Sequence, residues 1–307
     1  MKRRNHAGET ARERARAAVV DSTCTRFSLP RFYDHCPLSE FSQQLIERSG
    51  YLNEGFPGVY DRYRPSPPPA VLDVLTFLVG RERPVVVDLG CGTGLSTRAL
   101  AERAAQVVGV EPNAQMIALA RAGTREQNVR YIEAYANETG LEDGKADLVT
   151  AWQAFHWMEP QPVLAEAARI LRERGVFSAC DYDVAPVVEP EVDAAFAALL
   201  GARREARARL ALPAGSASWP KDRHVDEIRA SGRFRYAREV VAGGWWETDA
   251  ERMIGLAESI GGPREMFGDA APEVGTTFER LRETAVRVLG DRTWPVLLCY
   301  RIRVGIK

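Results

Sequence analysis

A chain of 307 residues, 45% of them hydrophobic, can bury one large core, and its length admits one domain or two. Its 41 basic residues against 42 acidic ones leave a formal charge of -1. That balance supplies no field for holding nucleic acid or an anionic membrane and favours a free small molecule as partner. The five cysteines, at 24, 36, 91, 180 and 299, make no Cys-x-x-Cys pair, and the four histidines, at 6, 35, 156 and 224, are scattered. No metal is expected, and the thiols suit a reducing, cytoplasmic compartment. The opening MKRRNHAGETARERARAAVV is basic without the apolar stretch of a secretory signal, and no segment approaches the ~18 apolar residues of a membrane span.

Residues 1–58 read as an N-terminal extension, a charged Ala/Arg stretch followed by aromatics among prolines, and a candidate lid. The prolines at 65 and 67–69 bar a helix until Pro69, after which apolar residues at helical spacing predict one over Ala70–Val79. Short β-branched runs then alternate with helices. PVVVDL is followed by a helix over Leu95–Arg103, QVVGVE by a helix over Asn113–Arg121, and then come NVRYIE, ADLVTAW and GVFSACDY. Such runs predict a buried, mostly parallel sheet with helices on both faces. Residues 186–232 read as a mainly helical insertion after the fifth strand, a candidate substrate cap. Residues 233–307 hold FRYAREVVAGGWW and PVLLCYRIRVGI as a late strand pair with an antiparallel member, and helices over Ala250–Ser259 and Thr277–Leu289 between them.

The segment Val85–Gly94, VVVDLGCGTG, carries the chemistry. A strand runs into Asp88, and Gly90, Gly92 and Gly94 allow a tight turn where backbone can approach a ligand. The spacing is G-x-G-x-G, whereas the dinucleotide fingerprint is G-x-G-x-x-G with room for pyrophosphate, so a nucleoside lacking phosphates is favoured. Glu111 ends the second strand, where a carboxylate can accept from both ribose hydroxyls, and Pro112 follows at a helix start. Cys91 inside the loop has no evident base beside it and reads as an incidental thiol.

With VVGVEPNAQMIALAR, ADLVTAWQAFHWMEP and the entry run YDRYRP at Tyr60–Pro65, this segment resembles class I S-adenosylmethionine-dependent methyltransferases. The likeness is to the group that includes trans-aconitate methyltransferase, and it runs from Tyr60 to about Asp183. It implies a Rossmann-like α/β fold with residues 59–185 as the cofactor-binding core. It also implies that Tyr60 and the backbone at Gly90, Gly92 and Gly94 surround S-adenosylmethionine. Asp88 and Gly90 would face its methionine part, Glu111 the ribose, Pro112 and Met116 one adenine face, Ala136 and Asn137 the adenine edge, and Trp152 the methionine moiety. Many relatives have an acid where Tyr135 or Asn137 stands here.

The acceptor side follows from location, since ligands bind outside the carboxyl ends of the strands. Gln153, His156 and Trp157 after the fourth strand, and Asp181 and Tyr182 at the end of the fifth, are the substrate candidates. His156 is the candidate base, because imidazole titrates near neutral pH. Arg203, Arg204, Arg207 and Arg209 read as a solvated helix face. The expected activity is methyl transfer to a small-molecule oxygen, with carbon or nitrogen as alternatives. Non-methylating catalysis and a non-catalytic cofactor-binding partner also remain open.

Overall fold

The computed structural model describes residues 56–210, 219–260 and 267–307. The expected N-terminal extension lies outside them except for its last three residues. Helices α1 (Phe56–Tyr63) and α2 (Pro69–Val79) lead into β1 (Val85–Leu89), α3 (Leu95–Ala101), β2 (Gln106–Glu111), α4 (Ala114–Gly123), β3 (Val129–Glu133) and β4 (Ala146–Trp152). Then come α5 (Pro160–Ile170), β5 (Leu171–Tyr182), α6 (Pro190–Arg209), α7 (His224–Ala230), β6 (Tyr236–Thr248), α8 (Ala250–Glu258), α9 (Pro272–Val288) and β7 (Trp294–Ile306). One seven-stranded sheet has the order β3-β2-β1-β4-β5-β7-β6. Strands β1 to β5 pair in parallel, and β7 runs antiparallel to both β5 and β6. This is the Rossmann-like methyltransferase sheet with its one late antiparallel strand.

Alternation along the buried strands feeds two cores, as side chains at successive positions face opposite ways. Val86, Val107, Leu148, Val176 and Ile302 meet α2, α3, α6, α8 and α9 on one face. Val87, Val108, Val149 and Phe177 meet α5 and α7 on the other. The main differences from the sequence reading are at helix starts. Asn113 is the N-cap of α4 and not its first residue, its side chain accepting from the amides of Gln115 and Met116. Pro272 at the first turn starts α9 five residues before Thr277. Helices α1, α5 and α7 and the early start of β5 at Leu171 were not delimited by the apolar pattern.

The helical stretch after β5 packs differently from its reading. In α6, Val192, Phe196 and Leu199 are fully buried in the larger core. Arg203 is a correction to the solvated-face reading: it is buried, and its Nη1 donates to the carbonyl oxygens of Ala257 (2.8 Å) and Ile260. The carbonyls at the end of α8 offer acceptors that reward a buried guanidinium there, which a run of arginines in the sequence cannot reveal.

Candidate functional site

A cleft opens across the carboxyl ends of β1, β2 and β4, where a doubly wound sheet places its ligand crevice. Its floor is the glycine turn. Gly90, Gly92 and Gly94 all have positive φ (67°, 54° and 84°), which side-chain-bearing residues rarely adopt. The amides of Gly90 and Cys91 both donate to the Val110 carbonyl, at 2.8 and 3.1 Å, tying the turn to β2. A Cβ on Gly90 would collide with Met158 and Ala154, and one on Gly94 with Tyr131. A Cβ on Gly92 would meet no atom, because the space beside it is the cleft. Burial holds the Cys91 thiol well above its ordinary pKa, so it is no nucleophile at neutral pH.

Glu111 closes β2 at the cleft wall. Its carboxylate accepts from the backbone amides of Gly92 (3.1 Å) and Asn113 (3.0 Å). Desolvation outweighs those two bonds and pushes its pKa up to about 7. Pro112 and Met116 line the same wall, with Tyr135, Ala136 and Asn137 from the loop after β3. Tyr60 reaches the cleft from α1, whose entry run is laced to the body. Asp61 pairs with Arg98 at 3.1 Å, Arg62 with Glu251 at 2.6 Å, and Arg64 donates to the Tyr182 hydroxyl at 2.6 Å. At the β4 end the wall continues through Trp152, Gln153 and Trp157.

Five expected site residues stand elsewhere. Asp88 is wholly buried and accepts from Ser96 (2.6 Å), Thr97 (2.7 Å) and Thr150 (2.9 Å). It braces the glycine turn against α3 and β4 and does not line the cleft. Gly94 caps α3 against Tyr131 instead of touching the cleft. His156, Asp181 and Tyr182 also lie off the cleft wall. The His156 Nδ1 stands 3.6 Å from Asp181 Oδ1, and burial together with the Lys221 cation lowers its pKa to about 3. A ring so placed is neutral throughout the physiological range and is a poor base.

Asp181 is the centre of a polar cluster that the sequence did not announce. Lys221 Nζ lies 2.7 Å from Oδ1, Arg303 Nη1 donates to Oδ2 at 2.7 Å, and His224 Nδ1 lies 3.7 Å from Oδ2. Despite its burial these cations hold the Asp181 carboxyl below its usual range. His224 is wholly buried edge-on to Phe155, and burial lowers its pKa to about 4. No group of three or more metal-ligating side chains occurs among the described residues.

The cleft's polar inventory fits S-adenosylmethionine. The Glu111 carboxylate has lone pairs left for ribose hydroxyls, and the Asn113 Nδ2 and Trp152 Nε1 donors are buried at the wall without partners among the described residues. Such orphans are costly unless a ligand meets them. Asn113, Met158 and Glu159 are lining residues that the sequence reading missed. Asn113 could have been found from the N-cap rule, whereas the turn holding Met158 and Glu159 has no periodic signal.

Comparison with known proteins agrees. Residues 87–179 match the methyltransferase domain family. An uncharacterized methyltransferase of Mycobacterium tuberculosis is 41% identical over 118 residues, covering 38% of this chain and 46% of that protein. A Saccharomyces cerevisiae protein named as an S-adenosylmethionine-dependent methyltransferase is 27% identical over 139 residues, covering 43% and 48%. The matches thus span about half the length of these relatives. A solved structure from Anaeromyxobacter dehalogenans, titled a type II methyltransferase, superposes with a TM-score of 0.59 at 26% identity over 80% of this chain and 98% of that one. The chain carries a class I S-adenosylmethionine-dependent methyltransferase domain. No helix among the described residues is long and apolar enough to cross a membrane.

Proposed function

We propose that the protein transfers a methyl group to an oxygen of a small metabolite, a carboxylate in preference to a hydroxyl, in the cytoplasm and without metal. The observation that supports this is the composition of the cleft wall. One continuous wall joins Glu111 and Pro112 to Trp152, Gln153 and Trp157; among the described residues no imidazole or lysine lines it, and its carboxylates are Glu111, assigned to the nucleoside, and Glu159. An alcohol, phenol or acidic carbon would need a base to take its proton, whereas a carboxylate attacks as it stands.

S-adenosylmethionine supplies an activated methyl on sulfur. The protein's contribution is to hold and orient. Glu111 and Asn113 position the nucleoside, and Trp152 and Gln153 border the acceptor end. Tyr60 and Trp157 narrow the access of water. His156 enters this reading as a neutral packing partner of Trp157, their ring centroids 4.8 Å apart, and not as the base.

The test is a screen of carboxylic acids, phenols, alcohols and amines with methyl-labelled cofactor, the new methyl then being located by mass spectrometry and NMR. A methyl ester or ether formed with one equivalent of S-adenosylhomocysteine is expected. An N- or C-methyl product, product without S-adenosylhomocysteine, or cofactor binding with no turnover would each replace this reading.

A further inference from the structure

The side-chain amide of Gln153 is held at both its nitrogen and its oxygen by groups of fixed polarity. It stands just beyond β4 with φ of 49°, a left-handed conformation unusual for a residue with a side chain. Its backbone amide donates to the Cys180 carbonyl at 2.8 Å. Its Nε2 donates to the Tyr182 carbonyl at 3.2 Å, and its Oε1 accepts from Lys221 Nζ at 2.7 Å. A carbonyl can only accept and an ammonium can only donate, so the amide is fixed in one of its two flip states. Lys221 is itself fixed. It opens the short turn Lys221–Arg223, its Nζ lies 2.7 Å from buried Asp181, and two residues earlier Trp219 N donates to the His156 carbonyl at 2.8 Å.

We propose that Lys221 is a positioning and specificity-determining residue that, by engaging the Gln153 oxygen, leaves the second Nε2–H as the group Gln153 offers to a bound acceptor. This rests on the methyltransferase reading above and deepens it. A wall that offers N–H, backed by an ammonium, favours an acceptor bearing lone pairs or negative charge, such as a carboxylate. It disfavours a protonated amine, which would bring a second cation toward Lys221 and find the amide oxygen already engaged. The charge is also bound in place. Lys221 and Arg303 share Asp181, and Arg303 Nε donates to Glu239 at 2.8 Å, so neutralising Lys221 changes the wall without removing the carboxylate's other partner.

The experiment uses the full chain with saturating S-adenosylhomocysteine and two matched probes, benzoate and benzylamine, titrated calorimetrically. Wild type is expected to prefer benzoate. Lys221→Met and Gln153→Met are expected to reduce that preference by about tenfold or more, the size of a lost charge-assisted contact, while S-adenosylhomocysteine affinity stays within about twofold. Lys221→Arg, which keeps cation and donors, is expected to restore it. In parallel, the side-chain amide signals of ¹⁵N-labelled Gln153 report the lock directly. They are expected to shift and exchange faster in Lys221→Met and to hold in Lys221→Arg. Cofactor binding with no change of preference, or an unmoved Gln153 amide, would overturn the role of Lys221. Failure of wild type to bind S-adenosylhomocysteine would instead strike the methyltransferase reading, and the amide signal would still decide the lock.

Discussion

Glu111 and Asp181 are two carboxylates at the carboxyl ends of parallel strands, yet they have opposite electrostatic fates. Among the described residues Glu111, at the end of β2, accepts from backbone N–H groups alone, and burial lifts its pKa to about 7. Asp181 near the end of β5 meets Lys221 and Arg303, and its pKa is lowered. Both are acids at a place where ligands bind. The difference teaches that partner type decides availability. A carboxylate braced by amides keeps unused lone pairs and waits for hydroxyl donors, whereas one saturated by cations is committed to the scaffold.

The sharpest test of that contrast is Asp181→Asn, which strands Lys221 and part of the Arg303 charge in a buried site. A loss of about 3–5 kcal/mol is expected in chemical denaturation. A loss below ~1 kcal/mol would show that Asp181 is not a structural counter-ion. On the other side, Glu111→Ala is expected to leave folding largely intact while weakening S-adenosylhomocysteine by about 1.5–3 kcal/mol in calorimetry, the range for a charged hydrogen-bond partner. Equal affinity in the two proteins would remove Glu111 from the ribose.

The remaining predictions concern pH. His224 has its pKa lowered to about 4 by burial, so below the ordinary histidine value near 6.5 the unfolded chain binds a proton that the folded one refuses. Stability from this group is therefore complete above about 6.5 and declines as pH falls toward 4. Between pH 7 and 5 its share of the loss is about 2 kcal/mol. His224→Leu is expected to flatten that part of the acid profile, and an unchanged profile would mean that another group is responsible. Glu111 gives the last effect, on cofactor affinity and not on folding. Its ionised form is acceptor-only and accepts from two hydroxyls more strongly, whereas protonation turns one oxygen into a donor, so cofactor affinity is expected to fall by up to about tenfold per pH unit below 7. Glu111→Gln should abolish that slope, and a wild-type affinity flat from pH 8 to 5.5 would contradict the raised pKa.

The sequence made the cofactor end legible because its determinants are local. The strand, the glycine turn and Glu111 lie within 27 residues, and each rule used is one of backbone geometry. Even there, Asp88 was misplaced: it is among the motif's polar residues, but three hydroxyls from α3 and β4 draw it into the core. The acceptor end was illegible because it is assembled from distant pieces. Gln153 follows β4, Asp181 lies in β5, Lys221 precedes α7 and Arg303 belongs to β7, and no pattern in a single stretch relates them. His156 drew notice through its place after the fourth strand and its imidazole, but its burial against Asp181 depends on contacts 25 residues and more away.

Strand β7 comes later in the chain than any other strand and yet lies inside the sheet, between β5 and β6. During synthesis β1 to β5 can pair, and the glycine turn and Glu111 can take their places, while β7 is still unmade. Arg303 arrives with β7, and until then the buried Asp181 has lost one of its two close cations. The arginine that completes the Asp181 cluster is thus the last of that cluster to be synthesised, although its strand is interior to the sheet. If the cleft divides as proposed, its nucleoside end is complete in the nascent chain while its acceptor end still lacks an arginine.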